Sequence, residues 1–198
     1  MNPQTFIFIG RSGCGKGSQA KLLTDYLKEN DAKKRGVYYI ETGAEFRKLI
    51  QGGSLSSQLS KATYEQNERQ CDFLAIWMWS HMLVDNVTGE EHIIFDGAPR
   101  SELEAMVMNN ALDFYSRKAN IVYINVSRVL SERRLVERGR KDDLDMKMIA
   151  RRLDWFEKDV VPAIEYFRKQ SAHNFIEVNG EQGLEKVHEE IVSRLILS

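Results

Sequence analysis

GRSGCGKGS, residues 10–18, follows the apolar run Phe6–Ile9 and opens a helical pattern. The helical pattern has apolar residues at Ala20, Leu22, Leu23 and Leu27. Strand, glycine-rich turn and helix, in this order, are the context that a phosphate-binding loop requires. A glycine-rich turn that only reverses the chain is the alternative. It is disfavoured because the loop and both of its flanks fit the first pattern.

The chemistry of such a loop follows from its backbone. N–H groups at the start of a helix have no partner within the helix, and the helix dipole adds partial positive charge there. Glycines let this backbone approach phosphate oxygens closely, because no Cβ intrudes. Lys16 is placed to reach the phosphates farthest from a nucleotide base. The general pattern has Ser or Thr directly after the lysine, whereas here Gly17 intervenes and Ser18 supplies the hydroxyl.

The composition limits the kinds of partner. The chain has 198 residues, 42% of them hydrophobic, which is enough for one domain with a core. Its 28 basic and 29 acidic residues give a net charge of −1, which argues against a nucleic-acid partner. No stretch is long enough to span a bilayer and no secretory signal is visible, so we expect a cytoplasmic location and no membrane partner. Cys14 and Cys71 have neither metal-ligand nor disulfide spacing, so no structural zinc is expected.

Five short apolar runs predict buried strands, with helical stretches between them. They are Phe6–Ile9, Val37–Ile40, Ile93–Phe95, Ile121–Val126 and Asn174–Val178. This alternation predicts an α/β domain with a mostly parallel sheet and helices on both faces. Ligands of such sheets bind beyond the carboxyl ends of the strands, so the residues that follow each strand are the candidates for chemistry.

The second and third strands are each followed by residues suited to phosphate and magnesium. Thr42 is placed to cap a helix with Glu45 as its capping-box partner, and Arg47 projects from the same end. The third strand ends in Asp96, whose carboxylate suits the water shell of Mg²⁺, with a helix N-cap as the alternative. The turn after it aims Arg100 across the strand ends.

A second basic group follows the fourth strand. Arg134 and Arg138 are four residues apart and therefore lie on one helix face. Gly139 lets this helix end, and Arg140 follows in the turn. Arg152 flanks the core stripe of the next helix, so its head can reach the same cleft. An exposed, salt-bridged helix end is the alternative, and convergence of the arginines where a phosphate chain would lie argues against it.

Four further segments have predictable local structure. Residues 73–83 are dense in apolar side chains and predict a deeply buried helix. The segment Ser101–Arg117 predicts an amphipathic helix, and Val161–Pro162 is expected to kink or divide the helix that contains it. The turn Asn179–Gly183 follows the last strand, and its backbone could face a base.

Six segments carry a family resemblance. They are GRSGCGKGS at Gly10–Ser18, TGAEFR at Thr42–Arg47, DGAPR at Asp96–Arg100, RLVERGRKDD at Arg134–Asp143, RRL at Arg151–Leu153 and NGEQG at Asn179–Gly183. In content and order they resemble nucleoside monophosphate kinases of the adenylate kinase type, over essentially the whole chain. The resemblance implies a P-loop three-layer α/β/α fold with a five-stranded parallel sheet, a helical NMP-binding lobe and a minimal lid. It also implies reversible, Mg²⁺-dependent phosphoryl transfer from ATP to a nucleoside monophosphate, by a monomer.

The same resemblance implies roles for individual residues. The expected ATP-binding residues are Gly13, Cys14, Gly15, Lys16, Gly17, Ser18, Arg134, Arg138 and, through its backbone, Gln182. The expected AMP-binding residues are Thr42, Arg47, Gln70, Gly97, Arg100, Glu104, Arg140 and Arg152. The expected catalytic charges are Lys16, Arg100, Arg138, Arg140 and Arg152. Ser18 and Asp96 would hold Mg²⁺ through waters, and Asp142 and Asp143 would pair with lid arginines on closure.

Three positions bear on the acceptor base. Adenylate kinases usually have glutamine where this chain has Glu104, and a small apolar residue where it has Gln70. A carboxylate accepts hydrogen bonds from guanine N1–H and N2–H but cannot donate to adenine N1, so GMP stays open as acceptor. Thr42 is the residue type of adenylate kinases, so AMP is favoured, with UMP and CMP as further alternatives.

Two other functions are alternatives. One is a small-metabolite kinase on the same core, and the pair Arg47 and Arg100 argues against it because it suits an acceptor that carries a phosphate. The other is a nucleotide-binding protein without turnover, and the intact set of Lys16, Asp96 and arginines argues against that.

The resemblance also divides the single domain, residues 1–198. The core is expected at 1–41, 87–133 and 144–198, the NMP-binding lobe at 42–72 and the lid at 134–143. Only Gly139 separates Arg138 from Arg140, so the lid is very short. A lid of this length would shield ATP less well, so we expect measurable ATP hydrolysis without acceptor.

Overall fold

The computed structural model of the chain describes residues 2–140, 143, 145–170 and 172–195. Five strands form one parallel sheet: β1 (Thr5–Ile9), β2 (Val37–Glu41), β3 (His92–Asp96), β4 (Ala119–Asn125) and β5 (Asn174–Asn179). Their order across the sheet is β2-β3-β1-β4-β5. The chain therefore begins in the central strand β1, passes to the edge strand β2, returns to β3 beside β1, and then adds β4 and β5 on the other side. A crevice opens at the carboxyl ends of the central strands, where the direction of the connections changes. The predicted parallel α/β sheet is confirmed.

Helices connect the strands. They are α1 (Lys16–Asn30), α2 (Thr42–Leu49), α3 (Leu55–Glu65), α4 (Asp72–Asn86), α5 (Glu102–Phe114), α6 (Arg128–Arg138), α7 (Met146–Trp155), α8 (Val161–Arg168) and α9 (Leu184–Ser193). Within the described residues, no helix combines the length and the apolar character that a bilayer span would need.

The alternation of side chains along each strand creates two cores. Ile7 and Ile9 of β1 face the core beneath α4, α5 and α8, whereas Phe6 and Phe8 face the core beneath α1 and α9. This is the expected result for a strand with apolar residues on both faces, because successive side chains point to opposite sides of a sheet. The sheet is thus the middle of three layers, and the core holds the strand ends rigidly under the crevice.

The predicted division of a helix at Val161–Pro162 is present, with an added detail. A five-residue π-helical turn, Phe156–Val160, separates α7 from α8. Pro162 lies in the first turn of α8, where its missing N–H removes no hydrogen bond of that helix. Turns of this type occur often beside functional sites, and this one lies at the base of the cleft described below.

Two predicted helices differ from expectation. The helix predicted over Ser101–Arg117 is α5, which ends at Phe114 because Ser116 adopts a left-handed φ of 52°. The α4 helix is not buried all round: Leu83 is 3% exposed, but Phe73 and Val84 are each 73% exposed. The apolar residues of α4 therefore include a solvent-facing stripe that residue density alone did not reveal.

The predicted capping box at α2 is wrong. Glu41 is the N-cap residue, with extended backbone and no side-chain cap, and Thr42 is already the first residue of the helix. The Thr42 hydroxyl donates instead to the carbonyl of Asp96, at 3.4 Å. Glu45 pairs with Lys48 on the surface. The side chain of Thr42 thus ties α2 to the end of β3.

Candidate active site

The loop between β1 and α1 has the backbone of an anion cradle. Gly15, at the N-cap of α1, has a φ of 99°, which a residue with a side chain rarely adopts. A Cβ on Gly10 would lie 2.7 Å from the carbonyl oxygen of Ile124, so the loop also packs directly on β4. The Lys16 ammonium donates to the carbonyl oxygens of Gly10 at 2.7 Å and Arg11 at 2.9 Å. Its charge is therefore held over the loop.

Asp96 ends β3 beside this loop. The Tyr39 hydroxyl donates to Asp96 Oδ2 at 2.8 Å. A Cβ on Gly17 would lie 3.2 Å from the same oxygen, so the carboxylate lies against the first turn of α1. Burial, and then the neighbouring carboxylate of Asp96, raise the pKa of Tyr39, so the phenol stays protonated and can only donate this bond.

Two arginines come from the segments that follow β2 and β3. Arg47 Nη2 pairs with Glu41 Oε1 at 2.7 Å, and both side chains remain partly exposed. Arg100 Nε donates to the carbonyl of Gly97 at 2.6 Å, and its Cζ lies 5.9 Å from the ring centroid of Trp155. Burial lowers the pKa of Arg100, but a guanidinium remains charged at any physiological pH.

A third group of cations comes from α6, the turn after it and α7. Arg134 Nη1 donates to the carbonyl of Gly180 at 3.1 Å. The buried carboxylate of Asp143 accepts from Arg138 Nη2 at 2.7 Å and from Arg152 Nη1 at 2.8 Å. Asp143 therefore pairs with a lid arginine, while Asp142, named with it above, lies outside the described residues.

The end of α7 is joined to the loop between α3 and α4. Arg152 Nη2 donates to Asn67 Oδ1 at 2.5 Å, and Trp155 Nε1 donates to the Asn67 carbonyl at 3.2 Å. Arg151 Nη1 donates to the carbonyl of Gln66 at 3.0 Å. We call these three hydrogen bonds the α7 clasp. The clasp joins α7, which carries Arg152, to the loop between α3 and α4.

The loop, Asp96 and the arginines at positions 47, 100, 134, 138 and 152 line one cleft of about 1050 Å³. The predicted site residues that line it are Gly13, Cys14, Gly15, Lys16, Gly17, Ser18, Arg47, Gln70, Asp96, Gly97, Arg100, Arg134, Arg138, Arg140, Arg152 and Gln182. A cleft of this size accommodates two nucleotides more readily than one small metabolite. Its cationic lining suits phosphate groups.

The adenylate kinase family model matches residues 8–172 of the sequence. The chain belongs to the adenylate kinase family. It is therefore a phosphotransferase of the nucleoside monophosphate kinase type. Curated relatives named adenylate kinase include one from Azobacteroides pseudotrichonymphae, 29% identical over 94% of both chains. Another, from a strain of Prochlorococcus marinus, is 29% identical over 96% of this chain and 97% of its own. An adenylate kinase 1 from Nostoc sp. is 26% identical over 96% and 97% of the two chains.

Two predicted site residues of this family member do not line the cleft. Thr42 is 2% exposed and its hydroxyl is occupied by the Asp96 carbonyl. Glu104 is 1% exposed and points into the protein, where its carboxylate accepts hydrogen bonds from Trp79 and Arg100. In this structure the Glu104 carboxylate therefore does not face the cleft, where it would have to lie to contact a nucleotide base.

Gln70 does line the cleft, but its amide is engaged. Its Oε1 accepts from the Ser60 hydroxyl at 3.0 Å, and its Nε2 donates to the Ser60 carbonyl at 2.9 Å. The side chain therefore ties α3 to the start of α4. A base that met Gln70 would have to meet an amide already oriented by Ser60.

Sequence reasoning missed four residues of this adenylate kinase fold that shape the cleft. They are Tyr39, Glu41, Asn67 and Trp155. One signal was available for the first two: they are two residues apart at the end of β2 and therefore share a face of the strand beside Asp96. Asn67 stands in a polar break and has a left-handed φ of 53°, which favours asparagine among non-glycine residues.

Proposed function

We propose that this family member catalyses reversible, Mg²⁺-dependent transfer of a phosphoryl group between ATP and AMP, forming two molecules of ADP. The observation that carries the proposal is the joint cleft. A glycine cradle with Lys16, the pair Arg47 and Arg100, and arginines of α6 and α7 all line this one cleft.

The donor would bind on the cradle. Backbone N–H groups from Gly13 to Ser18 would hold the ATP phosphates, and Lys16 would leave its carbonyl partners to meet the outer ones. Arg134 would lie near the ATP base, with the backbone of Gln182, and the contact of Arg134 with Gly180 supports this placement.

The acceptor would bind between α2 and the loop that ends β3. Arg47 and Arg100 would take its phosphate in bidentate contacts, and Gly97 leaves room for that approach. Gly97 has a φ of 88°, which favours glycine, and a Cβ there would lie 2.9 Å from Arg100 Nη2 and displace that side chain. We place the acceptor lobe at residues 42–72 and the lid at 134–143.

The residues beside the cradle fit Mg²⁺. The carboxylate of Asp96 lies against the first turn of α1, where Ser18 offers a hydroxyl, and oxygen donors are what Mg²⁺ prefers. Bound there with its waters, Mg²⁺ would neutralise phosphate charge. Tyr39 keeps Asp96 oriented toward that place.

The chemistry needs alignment and charge, and the chain supplies both. Arg138, Arg140 and Arg152 would surround the phosphoryl group in transfer, whose charge is spread over its outer oxygens. No general base is required, because the acceptor phosphate is already an anionic nucleophile. The α7 clasp would help to exclude water, which competes as acceptor.

A substrate panel tests the proposal. Initial rates are measured with ATP and Mg²⁺ against AMP, GMP, UMP, CMP and dTMP, and AMP is expected to give the highest kcat/KM. Turnover of GMP or UMP without AMP would overturn the choice of acceptor, and absence of turnover with all five would overturn the kinase. The helix α6 offers a matched pair of variants: Arg138→Lys should lose activity, whereas Arg133→Lys, at a site 70% exposed, should not.

A cytoplasmic location and a monomeric state remain part of this proposal. Sedimentation of the purified chain at several concentrations tests the monomer. Neither affects the assignment of the cleft.

A further inference from the structure

We propose that Glu104, held by Trp79, is a positioning residue for Arg100: it fixes the main chain from which the acceptor-phosphate arginine reaches the cleft. The inference rests on the proposed function, since it assumes that Arg100 binds the acceptor phosphate. It assigns to Glu104 a role that differs from contact with the acceptor base.

Both oxygens of the Glu104 carboxylate are occupied by donors from different elements. Oε2 accepts from the main-chain N–H of Arg100 at 2.6 Å, and Oε1 accepts from Trp79 Nε1 at 3.1 Å. Glu104 is 1% exposed and Trp79 is fully buried. A buried carboxylate with a charge-assisted hydrogen bond to each oxygen is held in one plane and position, because a tilt or shift away from it leaves a donor unpaired.

The side chain of Arg100 is restrained at a second point. Its Nε donates to the Gly97 carbonyl at 2.6 Å, within the same turn. Its terminal nitrogens face the backbone of Gly43 and Gly97, where a Cβ would lie 3.6 Å and 2.9 Å away. The Arg100 guanidinium therefore depends on the position of its own main chain, and Glu104 is the side chain that holds that main chain from beneath.

The chemistry of the pair explains why a carboxylate suits this position. Two N–H donors face residue 104, so two acceptor atoms are needed. Glutamine has one acceptor and one donor, so its amide would oppose either Arg100 or Trp79 with a second N–H. The side chain in Glu104→Gln thus has nearly the same shape as glutamate, but at one of the two contacts it places an N–H donor opposite another N–H donor.

The first turn of α5 provides a control. The Ser101 hydroxyl accepts from the Glu104 N–H at 3.1 Å and donates to Asp72 Oδ1 at 2.5 Å. Ser101→Ala removes this cap and weakens the same helix, but it leaves both contacts of the Glu104 carboxylate in place.

Steady-state kinetics with purified full-length variants test the proposal, at pH 8.5, where the Glu104 carboxyl is ionised and both of its oxygens accept hydrogen bonds. Glu104→Gln is expected to raise KM for AMP and lower kcat, each about tenfold, because a small displacement of Arg100 spoils phosphate alignment. KM for ATP should change by less than about twofold, since the cradle is untouched. Ser101→Ala should lower the thermal midpoint and leave KM for AMP within about twofold.

A second substitution separates positioning from general destabilisation. In Trp79→Phe/Glu104→Gln one donor is gone, so the glutamine oxygen is free to accept from Arg100. The double variant should recover part of the AMP affinity that Glu104→Gln loses. Additive losses, or equal changes in KM for ATP and AMP, would overturn the proposal.

The outcomes also separate this inference from the proposed function. If the wild-type chain does not phosphorylate AMP, the function fails. If it does, and Glu104→Gln has the AMP KM of Ser101→Ala, the positioning role fails. If Glu104→Gln does not fold, Trp79→Phe is the second variant, because it keeps both Glu104 and Arg100. It is expected to raise KM for AMP by about threefold. An unchanged KM for AMP in Trp79→Phe would contradict the proposal.

Discussion

At the scale of single residues, several polar groups of the cleft are oriented by partner side chains of the protein itself. Tyr39 holds Asp96, Glu41 holds Arg47, and Asp143 bridges two arginines. Orientation in advance matters in phosphoryl transfer, because the enzyme contributes mainly placement and charge. The partners are therefore expected to affect kcat more than they affect stability.

Tyr39→Phe tests one of these partners. Without the hydroxyl, Asp96 Oδ2 loses the donor that orients it, and we expect the Mg²⁺ concentration for half-maximal activity to rise about threefold to tenfold. Tyr38→Phe is the matched control, since the Tyr38 hydroxyl donates to the Met82 carbonyl in another part of the chain. A Mg²⁺ titration that gives the same shift for both variants would contradict the role of Tyr39.

Glu104 gives a pH dependence of stability. Burial raises the pKa of Glu104 to about 7. The hydrogen bond from the Arg100 N–H and the charges of Arg100 and Arg69 lower this pKa, and the charge of Asp72 raises it further. Between the value of about 4.5 in the unfolded chain and 7, the folded state binds more protons. The free energy of unfolding should therefore fall, by about 3 kcal/mol for this group, as pH rises through that window.

Urea unfolding at pH 5 and pH 8 measures this effect. The wild type should lose more stability between the two pH values than Glu104→Gln, which cannot titrate at this position. Parallel changes in the two proteins would show that Glu104 keeps the same pKa in the folded and unfolded states.

At the scale of elements, the α7 clasp joins the stem of the lid to the loop that leads into α4. It depends on Asn67, whose left-handed backbone presents both its carbonyl and its side-chain oxygen to α7. The π-helical turn begins directly after Trp155, so a change of helix geometry occurs at the clasp. This arrangement couples the position of α7 to that of the loop between α3 and α4.

Asn67→Gly tests the clasp without straining the backbone. Glycine accepts the φ of 53°, so stability should change little, but the contact of Asn67 Oδ1 with Arg152 is lost. We expect kcat to fall about threefold to tenfold. Ser116→Gly, at a φ of 52° after α5, is the matched control and should leave kcat unchanged. Equal kcat values for the two variants would argue against a role for the clasp.

At the scale of the whole molecule, charge is distributed unevenly. The chain is close to neutral overall, yet Lys16 and six arginines line one cleft. Glu41 pairs with Arg47, and Asp143 pairs with Arg138 and Arg152, so these two carboxylates neutralise part of this charge. Phosphate groups would replace those internal partners, so binding and closure are expected to occur together.

The short length of the predicted lid leads to a prediction about ATP hydrolysis in the absence of an acceptor. Because only Gly139 separates Arg138 from Arg140, we expect water to reach ATP and hydrolyse it slowly when no acceptor is present. Release of inorganic phosphate from ATP and Mg²⁺ alone measures this. Strict dependence of ATP consumption on AMP would contradict the expectation and show that the cleft closes well enough without a longer lid.

The sequence by itself determined the parallel α/β sheet, the glycine cradle with Lys16 and the set of arginines that line the cleft. Local rules suffice for these, because strand and helix periods and the topology of parallel sheets bring the segments after each strand to one edge. The tertiary structure alone decided the contacts of Glu104 with Trp79, Tyr39 with Asp96 and Asn67 with Arg152, which join residues 25, 57 and 85 positions apart in the chain. Such pairs depend on how the helices pack on the sheet. The residues adjacent in sequence to a buried side chain do not determine the direction in which that side chain points.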